Sequence, residues 1–489
     1  MLVDGAPRVA CVTPARRVAG RTVTTVEGLP EDQRRAWAGA FCATGASQCG
    51  FCTPGIILRL AALRAKGSTD VEGALLAHLC RCTGWRTIEE AFGAYGPLEE
   101  MAVGTRPPSP RDLASGRRDS RDLDAASRRA TIEGGVPQRV APDVALGGGG
   151  FADDTAPAGA LVAVPDGRGG WAVAETLAEA RRAAGKVQGR RTTAALRHPL
   201  AVPEGDWDVT LRTAWVEPAY LELDASWCEP GGEPATPLAN GGAFGGKAAS
   251  VAPAAARRLA DEHGRPVRVL LSREDAVRLG PKRPPVAAGV RRDGNGVVRV
   301  ARTPGVADAM RGSAPGLEVE EVDVPGPPTS IAPRAAGWAE AQVLLSGAAG
   351  RARPVQSPSG AVAEAQLEPG RVRVRVSCGD PLDDVVLRSY CIGATHMALG
   401  WVWSEGIAVD EDGEPHDLTI RSFGILRARD MPPVEVEIDR GGGEPVNGSD
   451  AVFAAVAAAA WIGEGCPQDW PTRRRGRGAR ESDMSKAVT

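Results

Sequence analysis

Four cysteines in two tight pairs constrain this chain more than any other feature. Cys49 and Cys52 stand in Gln48-Cys49-Gly50-Phe51-Cys52-Thr53-Pro54-Gly55, and Cys80 and Cys82 in Leu79-Cys80-Arg81-Cys82-Thr83-Gly84. Thiolates are soft anionic ligands, and four of them converging suit either zinc or an iron–sulfur cluster. Structural zinc sites commonly leave two to four residues between paired ligands, a turn that wraps one ion. Only Arg81 separates the second pair. That tighter bite is less usual for zinc and suits two sulfurs at the edge of a cluster.

The flanking sequence is helical in pattern. Trp37 and Phe41 fall at i,i+4 before the first pair. Thr53 and Pro54 open a helix carrying Ile57, Leu60, Ala61 and Leu63, with Thr53 as its cap and Gly67 as its end. Thr69-Asp70-Val71-Glu72 reads as a capping box for a helix that leads through Leu75, Leu76 and Leu79 into Cys80. A last helix starts near Thr87, with Ile88 and Phe92 on one face. The cysteines therefore lie on loops at the ends of packed helices over residues 30–95. Before them, Asp4-Gly5 is a turn between strand-like runs, with Val9–Val12 and Val23–Val26 reading as strands.

Beyond residue 100 the texture changes. Residues 99–128 form a linker rich in Pro and in charges of alternating sign. The chain holds 61 Gly and 39 Pro, and from about 130 they break short β-branched runs, which we read as many turns. Helices are expected near 174–186, 251–263 and 450–461. Val372, Val374 and Val376 alternate with Arg371, Arg373 and Arg375, as in a half-exposed strand. Trp401–Ile420 reads as a hairpin around Asp412-Gly413. Met397, Trp401 and Trp403 are core residues.

Length and charge bound the function. A chain of 489 residues suggests several domains. A net charge of −3 gives no reason to invoke nucleic acid or an anionic membrane. The longest apolar run, Ala451–Trp461, is too short to span a bilayer. Cys11, Cys42, Cys228, Cys378, Cys391 and Cys466 have no pairing pattern and read as free thiols, so a cytoplasmic protein is expected. The five histidines have no partners at metal-ligand spacing. Asp410–Glu414 reads as a hairpin turn rather than a calcium loop.

The cysteine-bearing segment resembles the helical 2Fe-2S domain of the xanthine dehydrogenase / aldehyde oxidase family of molybdenum hydroxylases. The resemblance implies one 2Fe-2S cluster with Cys49, Cys52, Cys80 and Cys82 as ligands. It implies that Gln48 contacts the pterin of a molybdenum cofactor and that Cys82 lies close to that pterin. Residues 1–29 resemble the end of a plant-type ferredoxin domain, as a remnant in which Cys11 matches one ligand and the other three would lie upstream of Met1. One thiolate cannot hold that cluster.

The remainder resembles the molybdenum-binding subunit of the same family. Gly150–Leu161 is similar to the opening of its α/β hammerhead domain, and Val216–Glu222 and Gly241–Lys247 to two of its signatures. Gly242, Phe244, Gly245 and Gly246 are thereby implied to lie against the cofactor. Ala332–Gly337 resembles a loop whose arginine, here Arg334, orients substrate. Gly442-Gly443-Glu444-Pro445 resembles the segment bearing the catalytic glutamate, which makes Glu444 the general base. A carboxylate whose pKa is raised by burial suits deprotonation of a metal-bound hydroxide that attacks an aldehyde or N-heterocycle. The cluster then serves as a one-electron relay.

The expected fold is α+β and multidomain. A four-helix 2Fe-2S domain (30–98) is followed by the linker (99–128) and a hammerhead-like domain (129–205). A molybdopterin-binding-like α+β region (206–470) and a basic disordered tail (471–489) complete it. Two functions are implied: hydroxylation at a molybdenum cofactor, or electron transfer between separate molybdenum and flavin subunits. The expected partners are an FAD-binding subunit, a full molybdenum subunit and a small-molecule substrate, without nucleic acid or membrane. Gly241–Lys247 also fits a phosphate loop. Against that reading stand Ala248 in place of Ser/Thr, a poor strand before the loop and Pro253 in the helix after it.

Overall fold

The computed structural model describes residues 1–95, 121–185, 194–238 and 242–473. Residues 99–120 of the expected linker, Gly241 of the glycine motif and the basic tail from 474 lie outside the described residues.

A small antiparallel sheet opens the chain: β1 (Leu2–Val3) pairs with β2 (Ala6–Pro7) and β3 (Val23–Thr24). Asp4 and Gly5 both take positive φ, the backbone of a tight hairpin turn. The expected strand at Val9–Val12 is a short 3₁₀ turn over Ala10–Val12. Pro14 follows closely and the run finds no sheet neighbour, so it stays exposed.

Four helices then build the cysteine-bearing unit: α1 (Glu31–Thr44), α2 (Thr53–Ala65), α3 (Val71–Leu75) and α4 (Arg86–Ala94). The α1 helix ends on Gly45 in the left-handed conformation. Trp37 meets Phe41 edge-on at 6.4 Å and stacks on Tyr95 at 4.1 Å. Two caps differ from the sequence reading. Cys52 occupies the cap of α2, and the Thr53 hydroxyl donates to the Gly50 carbonyl at 2.6 Å. Asp70, not Thr69, caps α3, accepting from the Gly73 amide at 2.9 Å.

The α5 helix (Leu123–Gly134) begins inside the stretch expected to be linker, because Asp122 accepts the Asp124 and Ala125 amides. After α6 (Pro142–Ala145), a four-stranded sheet forms from β4 (Leu161–Pro165), β5 (Trp171–Ala174), β7 (Ala225–Cys228) and β8 (Val267–Leu270), in the order β5-β4-β8-β7. Its β4–β8 pairing is parallel and the others antiparallel. The α7 helix (Leu177–Ala183) and α8 (Ala252–His263) pack against it. This sheet reaches across the boundary expected at residue 205, because β7 and β8 return to pair beside β4.

A second sheet takes β6 (Val209–Thr213), β9 (Val286–Val290), β10 (Gly296–Ala301), β11 (Leu317–Val322) and the C-terminal Asp469–Trp470. A third runs β12 (Val355–Gln356), β13 (Val362–Glu368), β14 (Arg371–Ser377) and β15 (Val434–Asp439). On β14 the valines are buried, Arg373 and Arg375 exposed and Arg371 half-buried, as their alternation requires.

The core is closed by α9 (Arg273–Leu279), α10 (Val306–Ser313), α11 (Trp338–Ala348), α12 (Asp384–Trp403) and α13 (Ser449–Gly463). Here Trp401–Trp403 form the last turn of α12, not a hairpin strand. Nearly every residue of α12 from Val386 is buried, so it lacks the polar stripe that marks a surface helix. The Asp412-Gly413 turn does form, closed by the Val409–Pro415 bridge. Trp401 stacks on Phe453 of α13 at 5.4 Å. Among the described residues no helix is long and apolar enough to cross a membrane.

Candidate metal centre

The loops after α1 and after α3 bring the four cysteines into one buried place. Cys49, Cys80 and Cys82 are buried and Cys52 is half-buried. The sulfurs lie as two pairs. Cys49 and Cys82 approach to 3.5 Å, and Cys52 bonds Cys80. A two-iron cluster takes two thiolates on each iron, whereas one zinc ion needs four about a single point. The pairs match the first arrangement. Within each, one thiol is pushed toward thiolate by its neighbour. The bond from Cys82 lowers Cys49, and the bond from Cys52 takes Cys80 down to about 6. Cys11 is exposed.

Close backbone contacts seat these loops on the rest of the chain. A Cβ at Gly50 would stand 2.5 Å from the Val144 carbonyl, and one at Gly84 2.6 Å from that of Ile392. A Cβ at Gly393 on α12 would overlap the Cys82 carbonyl. Trp85, fully buried at φ 71°, donates its indole N–H to Leu426 at 3.1 Å. Between the cysteines of the second pair, Arg81 turns inward. Its two terminal nitrogens meet both oxygens of Glu405, and its Nε donates to the Pro218 carbonyl at 3.0 Å.

The glycine motif lies against the first pair. A Cβ at Gly242 would sit 2.9 Å from the Cys49 sulfur. Phe244 takes φ 45°, and a Cβ at Gly245 would overlap the Ala332 carbonyl. A Cβ at Gly246 would stand 2.7 Å from Pro218. This motif and those at 216–222 and 332–337 therefore meet one another. Lys247 is buried and spends its ammonium on the Glu222 carboxylate and the Pro237 carbonyl, which does not suit a phosphate loop.

Gln48 donates to the Cys82 carbonyl at 3.1 Å and to the Ser389 hydroxyl at 2.9 Å, and its own Oε1 is buried with no hydrogen-bond partner among the described residues. The hydroxyl of Tyr390 and the Nη1 of Arg334 are likewise buried without one. Arg334 lies 4.2 Å over the Phe244 ring, bonds Ser449 at 3.1 Å and pairs with Asp450 at 3.2 Å. It borders a cavity of about 40 Å³ walled by Arg81, Phe244, Arg283, Trp401 and Glu405. That is room for about one water.

Glu444 does not join this group. It is exposed and does not line the cavity. The burial expected of a general base is absent, because its loop runs over the surface ahead of α13. Sequence reading missed the α12 residues Ser389, Tyr390 and Gly393, and also Glu405. All lie more than three hundred residues from the cysteines they serve, in a run with no polar periodicity.

Comparison with known proteins follows the same division. Residues 25–93 match the 2Fe-2S binding domain family. A probable xanthine dehydrogenase subunit of Bacillus subtilis (strain 168) is 37% identical over 124 residues, covering 24% of this chain and 64% of that protein. The nicotine 6-hydroxylase small subunit of Paenarthrobacter nicotinovorans is 40% identical over 95 residues, covering 19% and 58%. The xanthine dehydrogenase of Calliphora vicina is 40% identical over 109 residues, covering 20% and 8%. The chain thus spans less than two thirds of the length of each of these relatives. Among solved structures, the aldehyde oxidoreductase from Desulfovibrio gigas matches with TM-score 0.62 at 14% identity, over 94% of this chain and 91% of that one. The aldehyde oxidoreductase from Desulfovibrio desulfuricans ATCC 27774 matches with TM-score 0.62 at 13% identity, with the same coverage. At such identity the likeness is one of fold: a mixed α/β multidomain architecture.

Proposed function

From a chain related to the xanthine dehydrogenase and aldehyde oxidase family through its 2Fe-2S binding domain, we propose an iron–sulfur electron-transfer subunit of a molybdenum-hydroxylase-type oxidoreductase. Cys49, Cys52, Cys80 and Cys82 hold one 2Fe-2S cluster, which passes single electrons. The observation that carries this reading is the buried two-by-two pairing of the sulfurs.

Hydroxylation on this chain itself is the second reading, and one observation favours it. The Gln48 Oε1, Tyr390 hydroxyl and Arg334 Nη1, unpartnered among the described residues, suit the polar edge of a molybdopterin. Gln48 would hold that edge beside Cys82, with Gly242, Phe244, Gly245 and Gly246 on the loop against Cys49. When bound, the molybdenum cofactor supplies oxygen insertion into an aldehyde or N-heterocycle, with Arg334 orienting substrate and Glu444 as base. The cavity of about 40 Å³ and the exposure of Glu444 favour the electron-transfer reading over this one. That reading implies a flavin-binding subunit and a molybdenum subunit as partners, and it is supported by relatives that are themselves named as subunits.

Metal analysis and low-temperature EPR of anaerobically purified protein test both readings. The expected result is about two iron atoms per chain, a reduced-cluster signal after dithionite and no molybdenum. Stoichiometric molybdenum would move the conclusion to the hydroxylase. A colourless protein with zinc alone would overturn both.

A further inference from the structure

A half-open cavity lies away from the four sulfurs, between the N-terminal segment and the outer face of α2 and α3. It measures about 470 Å³, within the range of pockets that hold small organic ligands. Its walls have two chemistries. Val3, Val9, Val12, Leu58 and Ala74 supply apolar surface, with Val12 63% exposed at the lip. Arg8, Arg17, Arg21 and Arg59 supply charge, and none of the lining side chains is acidic.

The arginines are unequally committed. Arg21 pairs with Asp4 at 2.6 Å, and the Arg59 Nε donates to the Ala74 carbonyl at 2.7 Å. Arg8 and Arg17 have no carboxylate partner among the described residues. The His78 ring lines the same space. A concave space with four guanidinium groups and no acid favours an anion. Guanidinium groups meet phosphate in paired, charge-assisted hydrogen bonds. The apolar wall then asks for a flat, poorly hydrated body attached to that anion.

We propose that this cavity binds a nucleotide-class ligand, its heterocycle on the Val3, Val12 and Leu58 wall and its phosphate on Arg8 and Arg17. The site is independent of the metal centre, although its wall is shared: Gly55 belongs to the first turn of α2, just after Cys52, and His78 stands just before Cys80.

Titration with flavin mononucleotide, read by its fluorescence, tests the proposal, with AMP and inorganic phosphate as competitors. The expected result is saturable one-to-one binding that AMP displaces and phosphate displaces much less well. Arg8→Ala/Arg17→Ala should weaken binding at least about tenfold, since each removed guanidinium takes a charge-assisted bond with it. Val12→Glu, at an exposed position, should weaken it as well by placing a carboxylate at the lip. Absence of saturation up to millimolar ligand would overturn the proposal, as would equal affinity in the variants. Phosphate competing as well as AMP would reduce the site to a simple anion site and overturn the nucleotide class.

Discussion

Arg81 and Glu405 meet face to face in the protein interior, with Nη1 2.5 Å from Oε1 and Nη2 2.8 Å from Oε2. Their side chains are 6% and 2% exposed. The pair ties the loop bearing Cys80 and Cys82 to the end of α12. Removing one partner leaves the other charge buried and unpaired, at a cost of about 3–5 kcal/mol. Glu405→Leu should therefore lower the unfolding free energy by about that amount, read by urea denaturation. The double change Arg81→Met/Glu405→Leu should cost less than either single change, because no orphan charge is left. Additive losses would show that the pair is not coupled.

Gly393 is needed for a different reason. A methyl group there would press on the Cys82 carbonyl, which is backbone and cannot swing away. Gly393→Ala should destabilise by about 1–3 kcal/mol through overpacking and lower the iron content. In a helix with free space the same change stabilises. Gly93 on α4 has no heavy atom within 4 Å of its would-be Cβ, so Gly93→Ala should gain about 0.4–1 kcal/mol with iron unchanged. Thermal unfolding with iron analysis on both variants separates the two effects.

The contrast between these residues shows what the sequence could reveal. The four cysteines were legible because their spacing is local, and the helices around them because each carries its own apolar face or glycine stop. The α12 helix was not, since a helix buried all round carries no periodic signal. Gly393 and Glu405 matter only through chain segments hundreds of residues away. Glu444 shows the reverse case: a local glycine-rich pattern suggested a site, but which way a loop faces is settled by tertiary packing.

The sulfur pairing makes the cysteines unequal in a testable way. Replacing Cys80 removes the thiol most inclined to ionise, at about 6, and orphans Cys52. Cys80→Ser should bring iron from about two atoms per chain to near zero and remove the visible absorption, since a cluster needs all four ligands. Cys391 is buried on α12, and its burial pushes the thiol well up rather than toward thiolate. Cys391→Ser should keep the cluster and lose only packing. If Cys80→Ser retained full iron, the ligand assignment would fail.

His396 sets a pH limit on the fold. It is fully buried, its Nε2 bonds the Leu426 carbonyl at 3.0 Å, and its Nδ1 has no hydrogen-bond partner among the described residues. Burial first, and the Arg81 charge second, hold its pKa at about 4 against an ordinary value of 6.5. Between these values the unfolded chain binds more protons than the folded one, so stability falls as pH falls. The contribution is complete above pH 6.5, and going from pH 7 to pH 5 should remove about 2 kcal/mol. His396→Gln keeps a donor for Leu426 but cannot titrate. Its stability should be lower at pH 7, and it should decline less between pH 7 and pH 5 than the parent, by about 2 kcal/mol. Urea denaturation of both proteins at the two pH values measures this difference directly. Parallel declines would place the acid sensitivity in another group.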